Sequence, residues 1–372
     1  MKVKVKIMEI VRFGVIGAKG IGRTHMECIS SCGKAKLVAI ADINETEGQA
    51  AASKYGAKWY MDYEKMFERK DLDAVSICTP HFLHCPMTLK ALEHGKHVLV
   101  EKPMAISVSE ADRMVAKARS AGLKLGVVFQ YRTFPVYKEI KQLIEYGEIG
   151  KIYRVNMEAC TFRTQAYYES DSWRGKWATE GGGALINQAI HNIDLLQWLV
   201  GKPARLMGQI DTMYHSAEVE DIASAAIKFE NGAHGTLQAS IIDAIEATRL
   251  EICGEKGKIE SDRDAKRLVM SKTLKECIAD KKVWGGRPEC QWNEVKPKTE
   301  DKGGHTAVIK EYCEALIEDR EPPVPGEDGR NSIEIINAII LSSFERQAVT
   351  FPVDRNAYDN LMRKLSKKSE VI

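Results

Sequence analysis

Between residue 13 and about residue 128, short apolar runs alternate with amphipathic stretches, and this alternation constrains the fold more than any other feature of the chain. Residues 13–16, 37–41, 74–78, 97–100 and 125–128 are apolar almost throughout, as strands buried on both faces are. The spacing predicts helices over 21–31, 45–55, 63–68, 85–93 and 110–121. Gly56, Gly95 and Gly122 supply helix stops and Ser109 an N-cap. Repeated strand–helix units require right-handed crossovers, and hence a parallel sheet covered on both faces. The expected N-terminal domain is therefore α/β and doubly wound.

After residue 134 the pattern changes. A helix over 136–145 ends at Gly147, and strand patterns then dominate. Residues 224–230 and 233–241 flank Asn231-Gly232, a pair that predicts a type I′ hairpin with two left-handed residues. Residues 249–253 and 258–261 read as a second hairpin, and 275–302 is polar and unassigned. Helices follow over 306–318 and 331–347, with a loop over 322–329. The expected second domain is α+β, with a large, mostly antiparallel sheet. With 372 residues, two domains are the natural division, here 1–133 and 134–372.

Composition excludes several classes of function. The net charge of +2 is spread along the chain. Lys2, Lys4 and Lys6, like Arg363, Lys364, Lys367 and Lys368, read as solvated termini rather than a nucleic-acid footprint. No apolar run nears the roughly 18 residues of a membrane span, and no signal-peptide core opens the chain. The nine cysteines include no Cys-x-x-Cys pair, and Cys28 and Cys32 share a helix with packing spacing. A reducing cytoplasm is the expected location.

Residues 17–22 read Gly-Ala-Lys-Gly-Ile-Gly, directly after a strand and opening a helix. Gly17 suits a tight turn and Gly22 close helix–strand packing, while Lys19, Gly20 and Ile21 lead into a helix N-terminus that can face a pyrophosphate. Asp42 ends the next strand, placed to hold ribose hydroxyls. A 2′-phosphate about 4 Å from that carboxylate would cost on the order of 4 kcal/mol at an effective dielectric near 20. Ile43 and Asn44 follow, with no arginine to receive it. NAD is expected over NADP, although Lys19 is long enough to reach a phosphate.

Three further segments carry chemistry. Thr79-Pro80-His81-Phe82-Leu83-His84 and Glu101-Lys102-Pro103 each follow a strand at the sheet edge where ligands bind, and a glycine run from Gly181 to Gly183 opens a helix bearing Asn187, His191 and Asp194. Together with His25, Asp42, Tyr131-Arg132-Thr133-Phe134-Pro135 and the glycines at 147 and 150, they resemble the GFO/IDH/MocA family, named for glucose–fructose oxidoreductase, inositol dehydrogenase and a rhizopine-catabolism protein. The resemblance covers nearly the whole chain in order. It implies a nicotinamide between the domains and hydride exchange with a carbinol carbon of a sugar, nucleotide sugar or cyclitol.

The family's lysine falls on Lys102, its histidine on His191, and the aspartate of its Asp–His pair on Asn187. An Asn orients an imidazole without adding charge, so two role assignments stay open. Either His191 is the base and Lys102 stabilises the oxygen, or Lys102 is the base with a lowered pKa. Asp194, three residues after His191, is a candidate for the missing carboxylate. Thr79, Pro80, His84 and Glu101 are expected near the cofactor. Arg163, Trp173, Arg174 and Tyr131 are expected on the substrate, with Trp177 and Arg132 beside them. His94 and His97 read as structural, and no metal is expected. Competing readings are an aldose–aldose oxidoreductase with retained NADP and a non-catalytic NAD-binding regulator. Open faces of large antiparallel sheets are often covered by a second copy, so a homodimer or homotetramer is expected.

Overall fold

Val11, Phe13 and Val15 are fully buried, and so are Ala74, Val75 and Ile77, which is why these segments form interior strands. The computed structural model describes residues 9–262, 264–282, 284–286 and 288–369. Lys2, Lys4, Lys6 and the side chain of Lys368 lie outside the described residues.

The elements run β1 (Val11–Ile16), α1 (Ile21–Ser31), β2 (Ala35–Ala41), α2 (Glu45–Tyr55), β3 (Lys58–Tyr60), α3 (Tyr63–Phe67), β4 (Ala74–Ile77), α4 (His81–Glu93), β5 (His97–Val100), α5 (Val108–Ala121) and β6 (Leu125–Val127). A 3-10 turn, Gln130–Thr133, leads to α6 (Pro135–Glu145), β7 (Ile152–Phe162) and α7 (Gln165–Glu169). A π-helical turn, Ala184–Gln188, precedes α8 (Ile190–Val200). Then come β8 (Pro203–Asp211), β9 (Ile222–Phe229), β10 (His234–Ser240), β11 (Ile242–Gly254), β12 (Gly257–Ser261), β13 (Ala265–Met270), α9 (Leu274–Ala279) and β14 (Cys290–Glu294). The chain closes with α10 (His305–Ile317), α11 (Gly326–Glu345), β15 (Val349–Thr350) and α12 (Arg355–Ser369).

Two compact units result. One takes the described residues up to Gln130 together with Gly303–Ile333, and the other takes Tyr131–Lys302 and the described residues from Glu334. The first holds a six-stranded sheet in the order β3-β2-β1-β4-β5-β6, all parallel. The order reverses between β1 and β4, and ligand crevices of doubly wound sheets open at the carboxyl ends of strands that flank such a switch. Gly17 and Cys78 follow these two strands directly.

Local chemistry sets the helix ends. Asn44 caps α2 by accepting from Glu47 N at 3.1 Å. The cap of α5 is Ser107, whose Oγ accepts from Glu110 N at 3.2 Å, so that helix starts two residues before the one expected behind Ser109. Helix α4 starts at His81 rather than at residue 85; Pro86 sits inside it and removes one intrahelical bond without ending the helix.

The largest departure from the sequence reading is α10. Its face of Ile309, Tyr312 and Cys313 is buried in the same cluster as Val11, Phe13, Met26 and Ile29, and the Phe13 and Tyr312 rings are 6.2 Å apart. Residues 303–333 therefore complete the first unit, whereas the sequence pattern places all of 134–372 in one domain. The apolar face of α10 finds its partner strand some three hundred positions earlier in the chain, and segmentation by pattern sees only neighbours.

The second unit holds nine strands in the order β14-β13-β12-β11-β7-β10-β9-β8-β15. Every pairing is antiparallel except β7 with β10. The β9–β10 loop is not type I′. Phe229 N donates to Ala233 O at 3.0 Å, and Gly232 alone in the loop has positive φ, at 90°. Asn231 works through its side chain, accepting from Ala233 N at 2.9 Å and donating to Val200 O at 2.7 Å. Helix α8 is buried along nearly its whole length. Among the described residues no helix is long and apolar enough to cross a membrane.

A Cβ on Gly22 would lie 1.9 Å from Gly17 O, whereas one on Gly56 meets open space and only the strain of φ +65°. Gly22→Ala should lower the unfolding free energy by about 3 kcal/mol or more. Gly56→Ala should lower it by about 1 kcal/mol. Paired urea titrations compare the two.

Candidate active site

Gly17 turns the chain at φ +95°, where a Cβ would meet Cys78 O at 2.6 Å. Gly20 stands at the N-terminus of α1 with φ +50° and no neighbour within 4 Å of an added Cβ. No side chain caps α1 and no acid lies in its first turn, so the positive end of the helix is open to an anion. Asp42, half-buried after β2, accepts from Ala18 N at 2.6 Å through Oδ2 and from Asn44 N at 2.7 Å through Oδ1. It thus braces the glycine turn and keeps lone pairs for a ribose. Lys19 is drawn toward Glu47 at 4.0 Å, and Glu47 also pairs with Arg23 at 2.9 Å. Ile21 is 37% exposed at the helix start. The uncovered helix end, side-chain-free Gly20 and strand-end acid fit the pyrophosphate and ribose of a dinucleotide.

The loops after β4 and β5 are clipped together by His84. Its Nδ1 lies 2.6 Å from Pro103 O and its Nε2 2.8 Å from Thr79 O, inside a site that leaves the residue 1% exposed. Burial outweighs both carbonyls and holds this imidazole below its usual range, so the neutral ring donates to one of them. Thr79 Oγ1 contacts Met87 Sδ at 3.6 Å, and Pro80 is the N-cap of α4. The Lys102–Pro103 peptide is cis. Glu101, 4% exposed, turns inward and accepts from Lys102 N at 3.0 Å.

In the second unit the glycine run is a place where backbone meets backbone. A Cβ on Gly183 would stand 2.0 Å from Glu220 O. The expected α-helical spacing between Asn187 and His191 does not hold: the chain at Asn187 is a wider π turn, and α8 begins only at Ile190. Asn187 Nδ2 donates to Glu180 Oε1 at 2.6 Å, while Glu180 Oε2 accepts from Gly175 N at 2.6 Å. His191 stacks on Tyr131, with ring centroids 4.6 Å apart and planes 20° from parallel. Asp194 is held by Arg132 in a buried two-pronged pair at 2.8 and 2.7 Å, and its Oδ1 also accepts from Gln197 Nε2 at 3.1 Å.

A cleft of about 650 Å³ brings Tyr131 and Arg163 together with Gln188, Asn192 and Glu246. Arg163 reaches Gln188 Oε1 at 2.8 Å. Trp173 and Arg174 are not in that lining; Arg174 stacks on Trp173 and Tyr167, each at 4.5 Å, and donates to Tyr167 Oη at 2.7 Å. Trp177 is buried against Phe344 and belongs to the core. His94 and His97 bond to Lys90 O and Lys124 N.

Sequence reasoning missed Glu180, Glu220, Asp221 and His305. Glu220 receives Gly183 N and Leu185 N, both at 2.9 Å, and so pegs the glycine run. Its only local signal is the pair of acids Glu220-Asp221 opening a strand. Burial pushes the Glu220 carboxyl up from 4.5 to about 7, against those two amides and helped by Glu180. Because the folded value exceeds the unfolded one, the fold binds this proton more tightly. Stability from this group is then full below pH 4.5 and lost as pH rises through about 7. Thermal melts between pH 5 and 8 should show this loss, about 3 kcal/mol over the full range, and Glu220→Gln should flatten it.

Two family models match the chain. The oxidoreductase family with an NAD-binding Rossmann fold matches residues 11–129, and the GFO/IDH/MocA C-terminal domain matches 137–260. The scyllo-inositol 2-dehydrogenase (NAD(+)) of Bacillus subtilis is 30% identical over 67% of this chain and 73% of its own length. The myo-inositol 2-dehydrogenase of Thermotoga maritima is 26% identical over 91% and 98%. The WlbA dehydrogenase of Bordetella pertussis, solved with NADH and UDP-GlcNAcA, superposes with a TM-score of 0.79 at 30% identity, covering 93% of this chain and all of that one. With the glycine turn, the Glu101-Lys102-Pro103 loop and the His191 helix in place, the chain belongs to the GFO/IDH/MocA family of NAD-binding oxidoreductases.

Proposed function

We propose that the protein is an NAD-dependent dehydrogenase that interconverts a secondary alcohol and a ketone on a sugar, nucleotide sugar or cyclitol. The observation that carries this reading is the setting of His191: its ring is held flat by Tyr131, on a helix whose entry is fixed by Asn187 and buried Glu180. When bound, the nicotinamide supplies the acceptor for the hydride that leaves the carbinol carbon. His191 takes the hydroxyl proton, a task suited to imidazole near neutral pH. Lys102, braced by Glu101 behind its own amide, hydrogen-bonds the same oxygen and stabilises its developing negative charge.

Asn187 orients rather than charges the site, and Arg163 with Tyr131 lines the wall that receives hydroxyl-rich ligands. The relatives that act on inositols and the one bound to UDP-GlcNAcA support a polyhydroxylated substrate. Retention of both Lys102 and His191 favours an enzyme over a non-catalytic regulator. The half-exposed Tyr153 and Met207 on the nine-stranded sheet support a homodimer or homotetramer.

Lys102→Ala and His191→Ala should each lower kcat by about 100-fold or more, with NADH affinity within about threefold of wild type. The assay is NADH absorbance over a panel of aldoses, uronates, inositols and nucleotide sugars. Full activity in both variants would sink the assignment. Asp42→Ala should weaken NAD binding about tenfold and narrow the preference over NADP, read by titrating both cofactors against protein fluorescence. A wild type that already prefers NADP would overturn the role given to Asp42.

A further inference from the structure

Behind the Lys102 loop, three polar side chains of the first unit meet in the interior, and the reaction as proposed uses only Glu101 among them, as the brace of the Lys102 amide. His25 on α1 is fully buried; its Nδ1 lies 2.7 Å from Ser76 Oγ and its Nε2 2.8 Å from Glu101 Oε1. His305, the first residue of α10, brings Nε2 to 3.4 Å from the same oxygen and packs edge-on against the His25 ring at 5.5 Å. The other Glu101 oxygen accepts the Lys102 N–H at 3.0 Å. The three side chains offer ligand atoms within 4.8 Å of one another. Yet the 2.8 Å contact is a hydrogen-bond length. It is shorter than the ligand–ligand edge of about 3.3 Å that tetrahedral zinc bonds of about 2.0 Å require.

We propose that His25 and His305 are positioning residues that fix the Glu101 carboxylate as a buried negative charge, which anchors the Lys102 amide and sets the charge state in which Lys102 works. The inference rests on the role given to Lys102 above. Burial disfavours charge on both partners, but hydrogen bonds from His25 and His305 hold the Glu101 carboxyl well below its usual range. Burial is likewise outweighed at His25, where Cys78 and Glu101 hold the imidazole well above its usual range. The groups facing Glu101 are His25 from α1, His84 from α4, Lys102 from its own loop and His305 from α10, while Ser76 and Cys78 from the β4 end face His25. Removing a histidine leaves the carboxylate less compensated and favours the Lys102 ammonium; neutralising the carboxylate does the reverse.

His305 has 18% of its side chain exposed, so a change there disturbs the core least. The test uses full-length His305→Leu, His305→Gln and Glu101→Gln. Acetic anhydride labelling of Lys102 is followed against pH by peptide mass spectrometry, with thermal melts in parallel. In His305→Leu the labelling midpoint should rise by about one pH unit. In Glu101→Gln it should fall by about the same amount, and His305→Gln, which still donates to the carboxylate, should lie near wild type. Midpoints within about 0.2 of wild type in all three, with lowered melting temperatures, would show a purely structural cluster and overturn the proposal. Stoichiometric zinc in the purified protein, held at this cluster and lost in His305→Leu, would overturn it as well. The panel assay of Lys102→Ala separates the two levels: an active Lys102→Ala removes the premise, whereas an inactive one with unmoved midpoints removes only the inference.

Discussion

At Gly22 the first helix crosses the turn that leads into it so closely that a methyl group would stand 1.9 Å from the Gly17 carbonyl. The remainder of the nucleotide end depends on that crossing. It brings the N-terminus of α1 to the end of β1, beside Cys78 at the end of β4, where the strand order reverses. Asp42 then reaches back from β2 to Ala18 N, so one carboxylate ties the second strand to the turn. Lys19, where a glycine is usual, does not disturb the crossing, because its side chain leaves toward Glu47.

The second unit solves a similar problem with buried acids. Gly183 lies against the backbone of Glu220, and the Glu220 carboxylate collects two amides of the glycine run. Asp221 beside it collects those of Met213, Tyr214 and His215, and Glu180 takes Gly175 N and Asn187 Nδ2. Buried carboxylates are tolerable when their oxygens are filled in this way. They hold irregular backbone in place without help from a helix or sheet ladder. On that base, the Arg132–Asp194 pair and the Tyr131–His191 stack orient one face of α8.

The alternation of the first 130 residues was legible because each strand and helix declares itself locally, through apolar runs and glycine stops such as Gly56 and Gly122. The Lys102 and His191 segments were legible from their order along the chain. The pairings were not. Glu180 finds Asn187 and Glu220 finds the glycine run through the fold, and Asp194 finds Arg132, 62 positions away. A spacing of four residues implies a shared face only in a regular α-helix, and the π turn at Asn187 breaks that premise. Gly232 marked its hairpin correctly. The turn type was missed because Asn231 bonds through its side chain instead of adopting a left-handed backbone.

The place of α10 bears on how the polypeptide is made. Val11 and Phe13 are made some three hundred residues before Ile309, Tyr312 and Cys313, yet all five lie in one buried cluster. The dinucleotide unit therefore cannot finish its interior while only its own first 130 residues exist. Its central strands must wait, with apolar surface uncovered, through synthesis of β7 to β14. At translation rates of about 5–20 residues per second, that interval is on the order of ten seconds or more. Maturation of the nucleotide end is thus timed by the synthesis of α10, and a product truncated before residue 305 would display an unfinished core to chaperones and proteases.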